Sequence, residues 1–239
     1  MQNSAHTSLY ASTLSAGFSD FENAARYALL QRLIPAIRHN LMSNFQSPVM
    51  ISAMLEKRLK ATDFDLATIQ KTCTSLLSLT RTAAKDNNDL MNWIQPNSSH
   101  TLKLDAGVRE CLSLLATDLR FRGFVIVNEV SSIHAELSST ALRSMLCAVL
   151  IALSNLSPAP ADLIIRAQAL PDRVELYINI RPTEGDIDFN RAADLRPLSW
   201  QDVDILAMAE SVKLTRSNDG VQLTFPLELG LSSSQVVVD

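Results

Sequence analysis

The sequence predicts an α+β protein: a long antiparallel helical hairpin followed by an α/β sandwich. Three observations predict it. Apolar residues between positions 30 and 94 recur at spacings of three and four, the mark of helices with a buried stripe. The segment Pro96-Asn97-Ser98-Ser99 is the clearest linker in the chain. Beyond it the pattern changes to short runs rich in β-branched residues alternating with helical ones, the order expected of helices packed on one face of a sheet.

Residues 1–18 read as a flexible arm. Ser19 with Glu22 three positions later matches a capping box, so a helix is expected to begin near Asp20. Leu30, Ile34, Ile37, Leu41, Phe45 and Val49 form one stripe, interrupted by Pro35 and Pro48, each of which removes a backbone donor and is expected to kink the helix. The helix resumes through Met50, Met54 and Leu55 and ends in the basic cluster Lys57, Arg58, Lys60. A polar turn at 61–65 leads to a second stripe of Leu66, Ile69, Cys73, Leu76, Leu77, Thr80, Ala84, Leu90, Met91 and Ile94. One hairpin covers its apolar stripes poorly, so pairing of two copies into a four-helix bundle is the expected completion. The first domain therefore spans 19–95.

A second domain is expected over 101–228. Residues 102–104 read as a short strand, and 105–122 as a helix with Val108, Cys111, Leu112, Leu115 and Leu119 inward, stopped by Gly123. Residues 124–127 read as a strand and 138–155 as a strongly apolar helix. The strands 162–169 and 173–180 flank the turn Pro171-Asp172. A helix over 199–212, capped by Ser199, precedes strands at 213–216 and 221–227 around Ser217-Asn218-Asp219-Gly220. Residues 229–239 are expected to be a loose tail.

Composition narrows the function classes. With 47% hydrophobic and 19% charged residues the chain reads as a globular protein able to bury a core. A net charge of −4 supplies no general attraction for nucleic acid, and the one basic cluster reads as a solvated helix end. Six glycines argue against phosphate-cradling loops. Cys73, Cys111 and Cys147 are an odd set in apolar helical contexts; they read as buried hydrophobes of a reducing compartment, with no metal-ligand spacing. The N-terminus has no signal-peptide pattern, and the longest apolar run, 145–153, is too short to span a bilayer. A cytoplasmic protein without a membrane partner is the expectation. No nucleophile elbow or Ser/His/Asp ordering favours a hydrolase, and His6, His100 and His134 fall in expected loops.

His39 stands apart. At 100° per residue it projects about 160° from the centre of the Ile34/Ile37/Leu41/Phe45 stripe, hence toward solvent. Taken with Arg38-His39-Asn40-Leu41 and the element order, the chain resembles the cytoplasmic core of a sensor histidine kinase: a dimerisation and phosphotransfer hairpin joined to a Bergerat (GHKL) type ATP-binding domain. The resemblance covers about residues 20–228. It implies that the His39 imidazole, nucleophilic in its neutral form, carries a phosphoryl group and presents it to the aspartate of a response-regulator receiver domain.

The chain departs from the family pattern at several positions. The acidic residue that commonly follows the histidine is here Asn40, which cannot act as a base. A water-orienting amide or hydroxyl one turn later is offered by Ser43 or Asn44. The helix that should hold magnesium and phosphate through asparagines carries Ala148 and Ala152 instead, and alanine has no oxygen ligand to give. The Asp-x-Gly-x-Gly element is replaced by Arg181-Pro182-Thr183-Glu184-Gly185-Asp186, with Glu184 and Gly185 as a remnant. The later Gly-x-Gly turn is replaced by Leu198-Ser199-Trp200-Gln201-Asp202, where Asp202 and Asp204 add negative charge.

The resemblance and its departures together imply a two-component signalling protein that acts as a histidine phosphotransferase. It would shuttle phosphoryl groups between His39 and receiver aspartates without ATP, cofactor or metal, as a homodimer, with Asn40 and Ser43 beside the acceptor. Met42, Phe45 and Met50 would offer adaptable contacts to the receiver. The alternatives are a non-catalytic pseudokinase scaffold and a divergent ATP-dependent histidine kinase.

Overall fold

The computed structural model describes residues 3–61, 65–94, 100–130, 133, 135–156, 160–184 and 198–227. Residues 62–64 of the expected 61–65 turn, the linker at 96–99, residues 157–159 of the turn after the expected 138–155 helix, Gly185 and Asp186, His134 and the 229–239 tail lie outside these residues. The chain divides into two compact units, one of Ile34–Pro96 and one of Met1–Leu33 with Asn97–Asp239.

The hairpin comes from two helices, α1 (Asn3–Leu59) and α2 (Leu66–Ile94). α1 starts far upstream of Asp20: from Asn3 onward the segment that reads as an arm is helical, and His6 lies in it rather than in a loop. A Ser-x-x-Glu pattern can also stand inside a helix, as Ser19 and Glu22 do here. Pro35 and Pro48 both lie inside α1. At the start of α2 the carboxylate of Asp65 accepts hydrogen bonds from the backbone N–H of Ala67 and of Thr68, both at 3.1 Å, satisfying donors a helix start leaves open.

The second unit holds β1 (Thr101–Lys103), α3 (Leu104–Phe121), β2 (Phe124–Asn128), β3 (Glu136–Ser138), α4 (Ser139–Leu156), β4 (Ala161–Ala169), β5 (Arg173–Pro182), α5 (Trp200–Ala209), β6 (Lys213–Ser217) and β7 (Gly220–Pro226). Every expected element of the α/β part is present within a few residues of its predicted ends. β3 is the addition: three residues that pair antiparallel with β1, too short to register in a sequence pattern. The main sheet has the order β2-β4-β5-β7-β6, with β2 and β4 parallel and the other pairs antiparallel.

Alternation along the strands sends Leu163, Ile165, Val174, Leu176, Ile178, Leu223 and Phe225 to one face, where they are buried. On the other face Ile164 is buried, while Arg166, Glu175, Tyr177 and Gln222 are half-buried or exposed. α4 is the core helix. Every residue from Met145 to Ser154 is buried, which is why its sequence is apolar all round rather than on one stripe. By length and composition it is the one described helix apolar enough to cross a membrane, and 72% of it is buried. Gly107 of α3 allows that packing, because a Cβ there would meet Leu142 at 2.5 Å and Leu102 at 2.7 Å. Gly220 permits β7 to approach β5, where a Cβ would stand 2.2 Å from the carbonyl oxygen of Ile178.

The first part of α1 belongs to this unit. Ala25, Ala28, Leu29 and Leu33 are buried, Arg26 pairs with Glu210 after α5, and Nη2 of Arg32 donates to Oδ1 of Asn155 at 3.2 Å. Arg122 is itself buried and donates to the carbonyl of Ser154 at 2.6 Å and to Oδ1 of Asn155 at 2.8 Å. The ends of α3 and α4 are thereby tied together.

Candidate functional site

His39 is exposed on α1, as its angular position predicts. The opposite side of the helix is the hairpin seam, where Ile37 and Pro48 are buried and Leu41, Asn44, Ile51 and Leu55 are half-buried. Facing them on α2 are Ile69 and Ala83, buried, with Thr72, Leu76, Leu79, Asn87 and Leu90 half-buried. Two side-chain bonds fix the antiparallel register: Nδ2 of Asn44 donates to Oδ1 of Asn87 at 2.8 Å, and Nη1 of Arg58 donates to Oγ1 of Thr72 at 3.1 Å. In that register Leu41 falls level with Leu90 and Pro48 with Ala83.

The remaining site residues take distinct places. Ser43 and Asn40 are half-buried on the flank between His39 and the seam, at about 40° and about 100° from His39 around the helix. Asn44 turns away from His39 and is engaged by Asn87, so of the two water-orienting candidates only Ser43 lies on the histidine's side. Met50 shares the face of His39, and Met42, Phe45 and Met50 are all exposed, by 65%, 47% and 61%.

The stripes differ from expectation. Each helix carries two, about a quarter turn apart, rather than one. Only Ile37 and the half-buried Leu41 of the expected α1 set beyond position 33 face the seam; Ile34, Phe45 and Val49 are exposed. On α2, Leu66, Cys73, Leu77, Thr80, Ala84 and Met91 lie on the exposed second stripe. Cys73 is therefore a surface thiol, a correction to its reading as buried, whereas Cys111 and Cys147 are fully buried. The signal for two stripes was present in the sequence: positions 66, 73, 77, 84 and 91 keep a heptad rhythm of their own.

In the α/β unit, Ala148 is fully buried and Ala152 is 1% exposed, so the face of α4 that carries them lines no open surface. Arg181 and Pro182 end β5, and Arg181 pairs with Asp162 at 2.6 Å. At the start of α5, Asp202 and Ser199 cap each other. The carboxylate accepts from the backbone N–H of Ser199 at 2.9 Å and from its hydroxyl at 2.7 Å, while Oγ of Ser199 accepts from the N–H of Asp202 at 3.2 Å. Helix-start amides that would attract an anion are thus served by the protein's own oxygen atoms. Asp204 pairs with Arg216 at 3.1 Å, and Arg216 lies over the Trp200 ring at 5.2 Å. Among the described residues no group of three or more His, Cys, Asp or Glu side chains is placed to hold a metal ion.

No protein-family model matches the sequence, and no curated protein sequence matches it. Solved structures similar to the chain across most of its length are histidine kinase cytoplasmic cores and a bacterial phosphotransferase. The Acinetobacter baumannii histidine kinase AdeS is 16% identical, with 77% of this chain and 97% of that one covered at a TM-score of 0.44. A histidine kinase from Burkholderia phymatum is 12% identical over 82% of this chain and 97% of its own, at a TM-score of 0.40. The bacterial phosphotransferase is 11% identical over 82% of this chain and 94% of its own, at a TM-score of 0.36.

Proposed function

We propose that this chain is a dimeric histidine phosphotransferase of two-component signalling, which exchanges a phosphoryl group between His39 and the aspartate of a receiver domain without binding ATP. The observation that carries the reading is the placement of His39: exposed, on the wall of the hairpin opposite its seam.

Transfer from a receiver needs little chemistry from this chain. A ring nitrogen of His39 attacks the phosphorus of an aspartyl phosphate, forming an N–P bond as the P–O bond to the aspartyl carboxylate breaks. The carboxylate leaves with the electron pair, and the imidazole N–H proton passes to water. Asn40 supplies no base for that proton, and an acyl phosphate, already activated, makes a strong base less necessary than ATP would. Ser43 is placed to hydrogen-bond a phosphoryl oxygen or a water on the same side of the helix. Met42 and Met50 give the receiver an apolar surface beside the acceptor, whereas Phe45 lies on the second stripe, away from His39.

Homodimerisation is supported by the second stripes. Ile34, Phe45 and Val49 on α1 and Leu66, Leu77 and Met91 on α2 remain exposed in the single chain. A two-fold copy would cover them in a four-helix bundle and leave His39 on the outer wall. The absence of ATP chemistry is supported by buried Ala148 and Ala152 and by the Ser199–Asp202 cap.

The test is incubation of the purified chain with a receiver domain carrying radiolabelled phosphate, beside a second incubation with radiolabelled ATP and magnesium. The reading predicts label from the receiver, none from ATP, and none in His39→Ala. Label from ATP would identify a divergent kinase, and label from neither a pseudokinase scaffold; both outcomes overturn the reading.

A further inference from the structure

Each helix of the hairpin presents two apolar stripes about a quarter turn apart, and burial of apolar area alone gives four ways of pairing them. On α1 the choice lies between Ile37/Leu41/Pro48/Leu55 and Ile34/Phe45/Val49; on α2 it lies between Ile69/Leu76/Leu79/Ala83 and Leu66/Leu77/Ala84/Met91. One polar feature separates these pairings. Asn44 and Asn87, both half-buried in the seam, are joined by a 2.8 Å hydrogen bond between the Leu41/Leu90 and Pro48/Ala83 levels.

We propose that Asn44 and Asn87 are positioning residues, a matching lock that excludes the pairings in which one helix alone presents its other stripe, and so ties the direction in which His39 projects to the setting of α2. If α2 alone turned its other stripe inward, Asn44 would stay in the seam opposite apolar groups with no partner. If α1 alone turned, Asn87 would be stranded in the same way. A slip along the axis has the same result, since it sets each amide against Leu90, Ala83, Leu41 or Pro48. A half-buried amide set against apolar groups loses the hydrogen bond that a paired one keeps, so the lock acts by penalising mismatched settings. A quarter turn of α1 would also swing His39 from the outer wall to the side where the second stripe had faced. The consequence for transfer rests on the function proposed above; the lock itself does not.

The experiment uses the full chain with Cys73→Ser, spin-labelled at Gln46→Cys and Arg81→Cys on the exposed sides of the two helices, and diluted with unlabelled chain. Electron double resonance is expected to give one narrow distance in this parent. In Asn44→Leu with Asn87→Leu, helical content is retained and a second distance appears, displaced by several ångströms, as a quarter turn about a helix of about 5 Å outer radius requires. Asn87→Asp, whose carboxylate still accepts from Nδ2 of Asn44, keeps the single distance. A single parental distance in the leucine pair overturns the lock. Should that pair not fold, Asn44→Ala with Asn87→Ala is read by the same criterion. Phosphoryl uptake from a labelled receiver, measured on the same proteins, falls as the second distance grows. A parent that takes up no label overturns the proposed function, while the distances still decide the lock.

Discussion

Nη2 of Arg26 lies 2.7 Å from Oε1 of Glu210, the residue that closes α5, and Nε of Arg26 lies 2.8 Å from Glu22 one turn back along α1. The Glu210 side chain is only 9% exposed, so this is a charged pair with one member largely withdrawn from water. With Ala25, Ala28, Leu29 and Leu33 buried around it, the pair ties the first part of α1 into the α/β unit.

Removing one partner leaves the other charge half-buried and unmatched. Arg26→Ala is expected to lower stability by about 1–3 kcal/mol, the range for hydrogen bonds to charged groups, with the partial exposure of Arg26 favouring the lower end. Exchange of the two charges in Arg26→Glu with Glu210→Arg is expected to recover part of the loss. Denaturant titration of the two singles and the double measures the coupling.

Leu146 of α4 is fully buried in the centre of the helical layer. Leu146→Ala is expected to cost about 2–5 kcal/mol, from lost transfer energy and an unfilled cavity. Urea unfolding followed by circular dichroism reads the shift in midpoint.

Asp65 gives a pH dependence with a definite sign. The hydroxyl of Thr68 and the backbone N–H groups of Ala67 and Thr68 hold its carboxyl below the usual carboxylate range. A lowered folded value means the cap stabilises fully above the ordinary carboxyl pKa of about 4 and weakens as pH falls through the lowered one. The amides of Ala67 and Thr68 are expected to lose exchange protection, relative to the middle of α2, over that acid range. In Asp65→Asn the same amides should show no such step.

The thiols report on the second stripe. Cys147 is fully buried, and its hydrogen bond with Cys111 together with that burial pushes its thiol well above the ordinary range. Neither it nor Cys111 is expected to react with a maleimide until the chain unfolds. Cys73 is exposed in the single chain but lies on the stripe that a second copy would cover. Labelling at Cys73 is therefore expected to slow as protein concentration rises through the dimer range.

The α/β part was legible in the sequence because its signals are local. Gly123 adopts a positive φ of 81° where it was expected to stop α3, and Ser199 caps α5 with Asp202 as its capping-box partner. The expected strand 173–180 is present, with Val174, Leu176 and Ile178 buried in alternation. The hairpin was less legible. A stripe of ten apolar positions on α2 reads as one face, yet Ile69 and Leu76 face the seam while Cys73 and Leu77 do not, because apolar character alone does not distinguish a seam within a chain from one between chains. The pairing of β1 with β3 joins segments far apart in the chain and leaves no periodic trace. His39 was found because its position opposite the stripe is a matter of helical geometry. The role of Asn44 was not, since a polar residue within a seam looks like any other helical asparagine until its partner is seen.

Whether His39 is the acceptor is decided by locating phosphate on the protein. After exposure to a phosphorylated receiver domain, the chain is digested at alkaline pH, where phosphohistidine survives, and the peptides are sequenced by mass spectrometry. A phosphoryl group is expected on the imidazole of His39. Phosphate on another residue, or on none while the receiver remains phosphorylated, would contradict it.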